Sequence, residues 1–311
     1  MLPIIDFADF AGGDAATRRA IAQEIGTACE SVGFLYLRNH GVEQATIDTA
    51  LAAMRAFFAR PEADKLTLAR PPGRYRGYIP VIPFANNSNG RPPVLYEAFI
   101  TGDPVAPDDP SIAASQGLRW PTPWPSEPAG FEAAITGYWL AMTRLAEDLL
   151  RAFAIALGQD DDALLAHFTA PLSNISLLHY PARSAPPDGT PDDVRPHHDT
   201  NALTVLLPGV VGGLQVLGHD GAWLDVPPQP GCFVVNIGTM MECWSNGRFR
   251  STLHRVHPPI GTERYAIGYF AAPAYDTLVA PLPGITPGTS AQTPAPIHAG
   301  RALAAFVALF D

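Results

Sequence analysis

Cysteine and long apolar runs are both scarce in this chain. It contains three cysteines in 311 residues, an odd number at distant positions, which predicts reduced thiols and not a disulfide framework. No apolar stretch approaches the roughly 18–20 residues that a membrane helix needs. The N-terminus has neither the positively charged start nor the apolar core of a signal peptide. We therefore expect a cytoplasmic protein that does not associate with a membrane.

Positive charge is also scarce, with 20 lysines and arginines against 30 aspartates and glutamates and a net charge of −10. A general nucleic-acid-binding protein needs a basic surface, so this class is disfavoured. The sequence has no G-x-G-x-x-G pattern and no internal repeat. Its hydrophobic content of 47% supports a substantial buried core. These features favour a globular protein that acts on a small molecule, as a monomer or a small homo-oligomer.

Hydrophobic spacing divides the chain into a helix-rich first part and a β-rich second part. Apolar residues recur at helical spacing in five segments, over 17–32, 43–60, 131–157, 161–168 and 298–310. From Ser173 onward, short apolar strands are separated by glycine, proline or asparagine, a pattern typical of a sandwich or a barrel. We predict a helix-rich region over 1–125 and a β core within 126–311, joined as one structural unit.

Two histidines and one aspartate in the β-rich part carry the strongest chemical signal. His197 and Asp199 are two residues apart, so on a strand both side chains point to one face. His254 lies on a later apolar segment. Two histidines and one carboxylate that leave positions open form the ligand set of non-haem Fe(II) oxygenases. His198 should point away from this face and His257 should lie on the opposite face of its strand, so neither is a predicted ligand.

The order of a dozen segments resembles the isopenicillin N synthase-like branch of the Fe(II)/2-oxoglutarate-dependent dioxygenases. The segments of the first half are PIIDF, ACESVGFLYLRNHGV, FFARPEADK, RGYIPV and YEAFITG. Those of the second half are LLHYP, HHDTNALTVLL, GGLQV, PGCFVVNIG, WSNGRFRSTLHRV and ERYAIGYF. The resemblance implies a mainly β fold with α, in which a double-stranded β-helix (jelly roll) at about residues 172–275 is flanked by N-terminal helices and a C-terminal helix. It also implies Fe(II), with 2-oxoglutarate and O2 as cosubstrates.

The resemblance assigns cosubstrate binding to Arg264 and Tyr180. It implies that Arg264 holds the distal carboxylate of 2-oxoglutarate, which the planar guanidinium suits because it can donate two parallel hydrogen bonds. Tyr180 would supply a hydroxyl group. The chain departs from the family pattern at two positions, with Ala266 in place of a serine and Leu178 in place of an asparagine. A hydrogen bond to a charged group contributes about 1.5–3 kcal/mol, so the missing serine predicts weaker cosubstrate binding.

Further residues are predicted around the metal and the substrate. Asn236 and Ser251 resemble family positions near the metal, and we predict that they support its ligands. Loops over a rigid scaffold usually determine substrate choice. Four substrate contacts are predicted on this basis, at Tyr78, Asn86, Phe99 and Phe270.

We therefore expect an enzyme, a non-haem iron oxygenase that oxidises an unactivated C–H bond of a small organic molecule by hydroxylation, desaturation or cyclisation, with release of succinate and CO2. Two alternatives stay open. An Fe(II) oxidase of the same fold would not use 2-oxoglutarate, and the missing serine at Ala266 leaves room for it. A non-catalytic jelly-roll protein would retain only the metal, and the presence of Arg264 beside the ligand triad argues against it.

Overall fold

The computed structural model describes residues 2–81, 95–183, 194–257, 260–288 and 294–309, so the predicted substrate contact Asn86 lies outside the described residues. The helices of these residues are α1 (Ala15–Ser31), α2 (Gln44–Phe58), α3 (Glu62–Leu66), α4 (Ser111–Ala114), α5 (Phe131–Ala156), α6 (Thr239–Trp244) and α7 (Ala299–Ala308). None of the helices in this part of the chain combines the length and the apolar character that crossing a bilayer requires.

The helices form where apolar residues recur every three or four positions, because this spacing places them on one face. The central helix, α5, is 26 residues long and buries its apolar face against α1, α2 and the sheet. At the start of α1, the Asp14 carboxylate accepts a hydrogen bond from the Thr17 backbone N–H at 2.8 Å. The helix predicted over 161–168 is only a 3-10 turn at Leu165–His167, since so short a segment gains too few hydrogen bonds to offset nucleation.

The strands of the described residues form two facing sheets and one separate two-stranded pair. They are β1 (Ile4–Asp6), β2 (Phe34–Arg38), β3 (Gly77–Ile79), β4 (Glu97–Gly102), β5 (Asn174–Tyr180), β6 (Val194–His197), β7 (Leu203–Leu207), β8 (Leu214–Leu217), β9 (Trp223–Asp225), β10 (Cys232–Ile237), β11 (His254–Val256), β12 (Arg264–Ala271), β13 (Leu278–Val279) and β14 (Ile297–His298). The large sheet has the order β1-β2-β10-β7-β12-β5-β4-β3, the small sheet β6-β11-β8-β9, and β13 pairs with β14. Apolar side chains of the large and small sheets pack together in one cluster. The jelly-roll prediction is confirmed.

Alternation along the strands gives the large sheet two different faces. On β12, Ile267, Tyr269 and Ala271 belong to the hydrophobic cluster that includes α5. Arg264 and Phe270, which alternate with them, line a cavity between the two sheets. One face therefore builds the core with the helices, and the other face lines the cavity.

The predictions for Tyr78 and Phe99 are wrong, because both side chains lie on the helix side of the large sheet. Tyr78 and Phe99 are register partners on β3 and β4. Phe99 is fully buried and packs against Phe57 and Phe131 at ring-centroid distances of 5.1 and 5.5 Å. Neither Tyr78 nor Phe99 lines the cavity. Both are core residues.

A charged network is buried on the same side of the sheet. Lys65 Nζ donates to Glu97 Oε2 at 2.6 Å, and Nδ1 of His179 lies 2.6 Å from Glu97 Oε1. The Tyr78 hydroxyl also donates to Glu97 Oε2, at 2.5 Å. Burial alone would raise the pKa of Glu97, but the hydrogen bonds from His179, Lys65 and Tyr78 hold this pKa below its ordinary value of 4.5. The network joins α3 to β3, β4 and β5.

We predict that Glu97→Gln destabilises the fold by about 3–5 kcal/mol, because the Lys65 ammonium stays buried without its counter-charge. The pKa of Glu97 is lower in the folded state than its ordinary value of 4.5. The ionised carboxylate therefore contributes fully to the free energy of unfolding above pH 4.5, and this contribution is lost as the pH falls through the folded-state pKa. Urea unfolding near neutral pH and under acid conditions measures both effects. The control is Glu30→Gln, on a side chain that is 44% exposed and pairs with Arg248 outside this network, which should cost less than about 1 kcal/mol. Equal unfolding free energies for wild type and Glu97→Gln near neutral pH would contradict the prediction.

Candidate metal and cosubstrate site

The three predicted metal ligands meet at one edge of the cavity. His197 ends β6, and His254 begins β11 as its direct register partner, so the two imidazoles lie side by side. Nε2 of each histidine is 3.7 Å from Oδ1 of Asp199. The potential ligand atoms of all three residues lie within 4.8 Å of one another. This arrangement is able to hold a metal ion.

Backbone carbonyls set the tautomer of both histidines. Nδ1 of His197 lies 2.8 Å from the Arg195 carbonyl oxygen, and Nδ1 of His254 lies 3.0 Å from the Thr252 carbonyl oxygen. A carbonyl oxygen only accepts, so each Nδ1 carries a proton, and Nε2 is the nitrogen that the neutral imidazole has left to bind a metal. Burial lowers the pKa of His254, which keeps this imidazole neutral and able to bind a metal.

Two neighbours hold the Asp199 carboxylate in place. Oδ2 accepts hydrogen bonds from Thr204 Oγ1 at 2.6 Å and from Asn236 Nδ2 at 2.7 Å, which leaves Oδ1 free to face the histidines. Burial would raise the pKa of Asp199, but the adjacent imidazoles and these two hydrogen bonds lower it below the ordinary value. The structure places Asn236 as the sequence predicts. Thr204 was missed, although a polar residue within the apolar strand ALTVLL was a usable signal.

Ser251 and His198 lie beside the triad without joining it. The Ser251 carbonyl oxygen lies 3.0 Å from Nδ1 of His198, and the Ser251 N–H donates to Glu242 Oε1 at 3.0 Å. The expected support of the metal ligands by the Ser251 side chain is therefore not present, because this residue contacts the exposed His198 instead. His257 is exposed on the solvent side of its segment and is not in the ligand group.

The triad opens into a cavity of about 510 Å³ between the two sheets, and Arg264 lies at one end of it. Arg264 is only 1% exposed, and its guanidinium carbon is 4.7 Å from the ring centre of Tyr180, its register partner on β5. Its Nε and Nη1 have no hydrogen-bond partner among the described residues. Leaving a buried cation without a partner is costly. The site is therefore suited to an anion with two oxygen atoms, such as a carboxylate.

Two apolar residues lie close to Arg264 in the large sheet. Ala266 and Leu178, the two departures from the family pattern, are direct register partners on β12 and β5. Further along β12, Phe270 lines the cavity, and its contact with a substrate stays a prediction. Its ring folds over Gly268, where an added Cβ would lie 2.8 Å from Phe270 Cε2. Gly268 therefore gives the Phe270 ring the space to lie against the sheet.

Two family models match the chain. One, described as the N-terminal part of non-haem dioxygenases in morphine synthesis, matches residues 2–127, and the other, the 2OG-Fe(II) oxygenase superfamily, matches residues 172–273. The chain is 30% identical over 273 residues to the 2-oxoglutarate-Fe(II) type oxidoreductase hxnY of Emericella nidulans, covering 86% of this chain and 78% of that protein. The chain belongs to the 2OG-Fe(II) oxygenase superfamily.

Two other relatives agree with this assignment. Isopenicillin N synthase of Streptomyces clavuligerus is 30% identical to this oxygenase, covering 90% of this chain and 87% of that protein. A full-length Neurospora crassa protein, solved in complex with alpha-KG and thymine, is 26% identical, with a TM-score of 0.86 and coverage of 99% of this chain and 96% of that chain. The protein is a non-haem iron 2-oxoglutarate-dependent dioxygenase, with Fe(II), 2-oxoglutarate and O2 as its cofactor and cosubstrates.

We predict that Thr204→Val and Asn236→Leu each weaken Mn(II) binding by about 10- to 100-fold, because Oδ2 of Asp199 loses a hydrogen bond and the carboxylate can rotate. Calorimetric titration of the purified metal-free enzyme with Mn(II) measures the change in affinity. Ser176→Ala is the matched control: Ser176 also lies along the cavity but does not contact Asp199, so its loss should leave the affinity unchanged. Wild-type affinity in both test variants would refute the role given to these hydrogen bonds.

Proposed function

We propose that this oxygenase oxidises an unactivated C–H bond of a small organic molecule, by hydroxylation, desaturation or cyclisation, and releases succinate and CO2 from 2-oxoglutarate. The observation that carries the proposal concerns Arg264, in the cavity that the His197, Asp199 and His254 triad faces. Two of its guanidinium nitrogens, Nε and Nη1, have no hydrogen-bond partner among the described residues. A metal site alone would not need a buried cation nearby. A metal site that shares its cavity with this buried arginine is suited to an anionic cosubstrate that reaches from one to the other.

In this proposal, His197, Asp199 and His254 ligate iron through two imidazole Nε2 atoms and Oδ1 of the carboxylate. Arg264 donates to the distal carboxylate of 2-oxoglutarate, and Tyr180 lies under the guanidinium and restricts its orientation. Bound Fe(II) and 2-oxoglutarate supply the activation of O2, coupled to oxidative decarboxylation. The protein orients the cosubstrate and the C–H bond and excludes water.

The composition of the cavity supports a small organic substrate. Apolar side chains form most of its lining beyond the metal ligands and Arg264, and α7 contributes Leu303, Phe306 and Val307. Cavities of this kind bind small ligands by burying their apolar surface and orienting them through a few polar groups. The alpha-KG and thymine bound in the Neurospora crassa relative also support a small-molecule substrate.

The sequence left open an Fe(II) oxidase of the same fold that does not use 2-oxoglutarate, and the family assignment argues against it. The observation in favour of the oxidase is the apolar pair of Ala266 and Leu178, which offers no hydrogen bond to a cosubstrate close to Arg264. The similarity to isopenicillin N synthase is compatible with either candidate. Nε and Nη1 of the buried Arg264 have no hydrogen-bond partner among the described residues, which favours the use of 2-oxoglutarate.

One experiment separates the candidates. The purified protein is mixed with Fe(II) and 2-oxoglutarate, first without oxygen to record a visible charge-transfer band, and then with oxygen to measure succinate. We expect both the band and the succinate. If the protein binds the metal but gives neither the band nor succinate, the main proposal is refuted. The His254→Ala variant should not retain iron, so it gives the background level of both signals.

We predict that Arg264→Gln raises the concentration of 2-oxoglutarate needed for half-maximal band intensity by at least about tenfold, because charge-assisted hydrogen bonds to the carboxylate are lost. Ala266→Ser should lower this concentration, since the new hydroxyl adds a donor near the cosubstrate. Arg255→Gln is the control, because Arg255 stacks on Trp223 and does not line the cavity. An unchanged concentration in Arg264→Gln would show that the arginine does not bind the cosubstrate.

A further inference from the structure

Arg264 lies in a section of β12 that the large sheet supports from one side. It is the first residue of β12 and pairs with Tyr180 on β5. On the other side of β12, β7 pairs in register only with Ile267 to Ala271 among the described residues. A strand end with one neighbour opens more readily than a strand with two. The position of Arg264 therefore depends on contacts beyond the backbone ladder.

The side chain of His179 contacts both chain neighbours of Arg264. Its Nε2 lies 2.7 Å from Oε1 of Glu263, and its ring stacks on the Tyr265 ring with the two centres 4.5 Å apart. The Tyr265 hydroxyl donates to the same Glu263 oxygen at 3.0 Å. His179 also precedes Tyr180, whose ring packs against the Arg264 guanidinium. The residues before and after Arg264 are thus held by one imidazole on the neighbouring strand.

His179 is itself fixed from the opposite side. It is 7% exposed, and its Nδ1 lies 2.6 Å from Oε1 of Glu97 on β4. Glu97 in turn accepts hydrogen bonds from Lys65 and Tyr78. The histidine clamp, formed by Glu97, His179 and Glu263, therefore links β4, β5 and the start of β12.

The histidine clamp is ionic. When both carboxyl groups are ionised, each only accepts hydrogen bonds, so His179 donates from both ring nitrogens as an imidazolium. This imidazolium and Lys65 then balance the charges of Glu97 and Glu263. Hydrogen bonds between charged groups are shorter and stronger than those between neutral groups. The clamp is therefore able to fix the chain at Glu263, one residue before Arg264.

We propose that His179 is a positioning residue for the cosubstrate. Through Glu263 and Tyr265, it holds the first residues of β12 where the Arg264 guanidinium packs on Tyr180 and faces the cavity. A donor that is already in place binds a carboxylate more tightly, because no ordering of the donor opposes binding. The proposal rests on the proposed function, in which Arg264 binds 2-oxoglutarate.

Variants of Glu263 test the histidine clamp without removing its buried part. The Glu263 side chain is 52% exposed, so Glu263→Ala should fold like the wild type. We expect this variant to raise the concentration of 2-oxoglutarate that gives the half-maximal charge-transfer band by about 3- to 10-fold, because the chain beside Arg264 loses its anchor. Glu263→Gln should restore most of the affinity, since the amide oxygen still accepts from His179 and Tyr265. Glu30→Ala is the control, on a 44% exposed glutamate outside the clamp, and should leave the concentration unchanged.

A double-mutant cycle separates positioning from a general loosening of the fold. In the Arg264→Gln background, Glu263→Ala should cause no further loss of 2-oxoglutarate affinity, because the arginine that it positions is already gone. Mn(II) affinity should be equal in Glu263→Ala and the wild type, whereas a loosened fold would weaken the binding of both ligands. His179→Phe keeps the ring stacking but removes both hydrogen bonds, and it should weaken 2-oxoglutarate binding at least as much as Glu263→Ala.

The wild-type band distinguishes a failure of the proposed function from a failure of this proposal. If the metal binds and no band forms, both are overturned. If the wild-type band is normal and Glu263→Ala keeps the wild-type affinity for 2-oxoglutarate, this proposal alone is overturned. The same follows if Glu263→Ala has an equal effect with and without Arg264→Gln, or lowers Mn(II) affinity equally. Should His179→Phe fail to fold, the Glu263 variants decide by the same outcomes.

Discussion

The position of one buried carboxylate constrains the centre of this protein. Oδ2 of Asp199 is bound by Thr204 on β7 and Asn236 on β10, both in the large sheet, while Oδ1 faces two histidines of the small sheet. A carboxylate buried without partners would be costly, so the two sheets must keep the spacing that satisfies both oxygen atoms. The metal site is therefore part of the packing between the sheets and not an addition to it.

The register of the large sheet extends this constraint to the rest of the cavity. The alternation along β5 and β12 places Tyr180 and Arg264 in the cavity and places His179 and Tyr265 among the helices. A shift of one residue would exchange the two sets. The buried ion pair of Lys65 and Glu97 on the helix side of the sheet opposes such a shift, because it joins α3 to β4 through charged groups that need each other.

Charge is distributed unevenly within this oxygenase. The molecule as a whole is acidic, yet the described lining of its cavity contains three arginines and one aspartate. The position of Arg264 fits the role in cosubstrate binding that the family resemblance implies. Ala266 and Leu178 replace the serine and the asparagine of the family pattern, so the cosubstrate has fewer polar partners here.

The sequence alone determined the ligand candidates, the family and the arginine that we propose for cosubstrate binding, because these depend on residue type and on short spacings. His197 and Asp199 share a face by strand geometry alone. The tertiary structure decided everything that depends on pairing between distant strands. Tyr78 and Phe99 have the residue types of a substrate pocket, but the register of β3 and β4 turns them toward the helices. Thr204 supports Asp199, and Ser251 does not, because contacts across the sheets follow register and not sequence proximity.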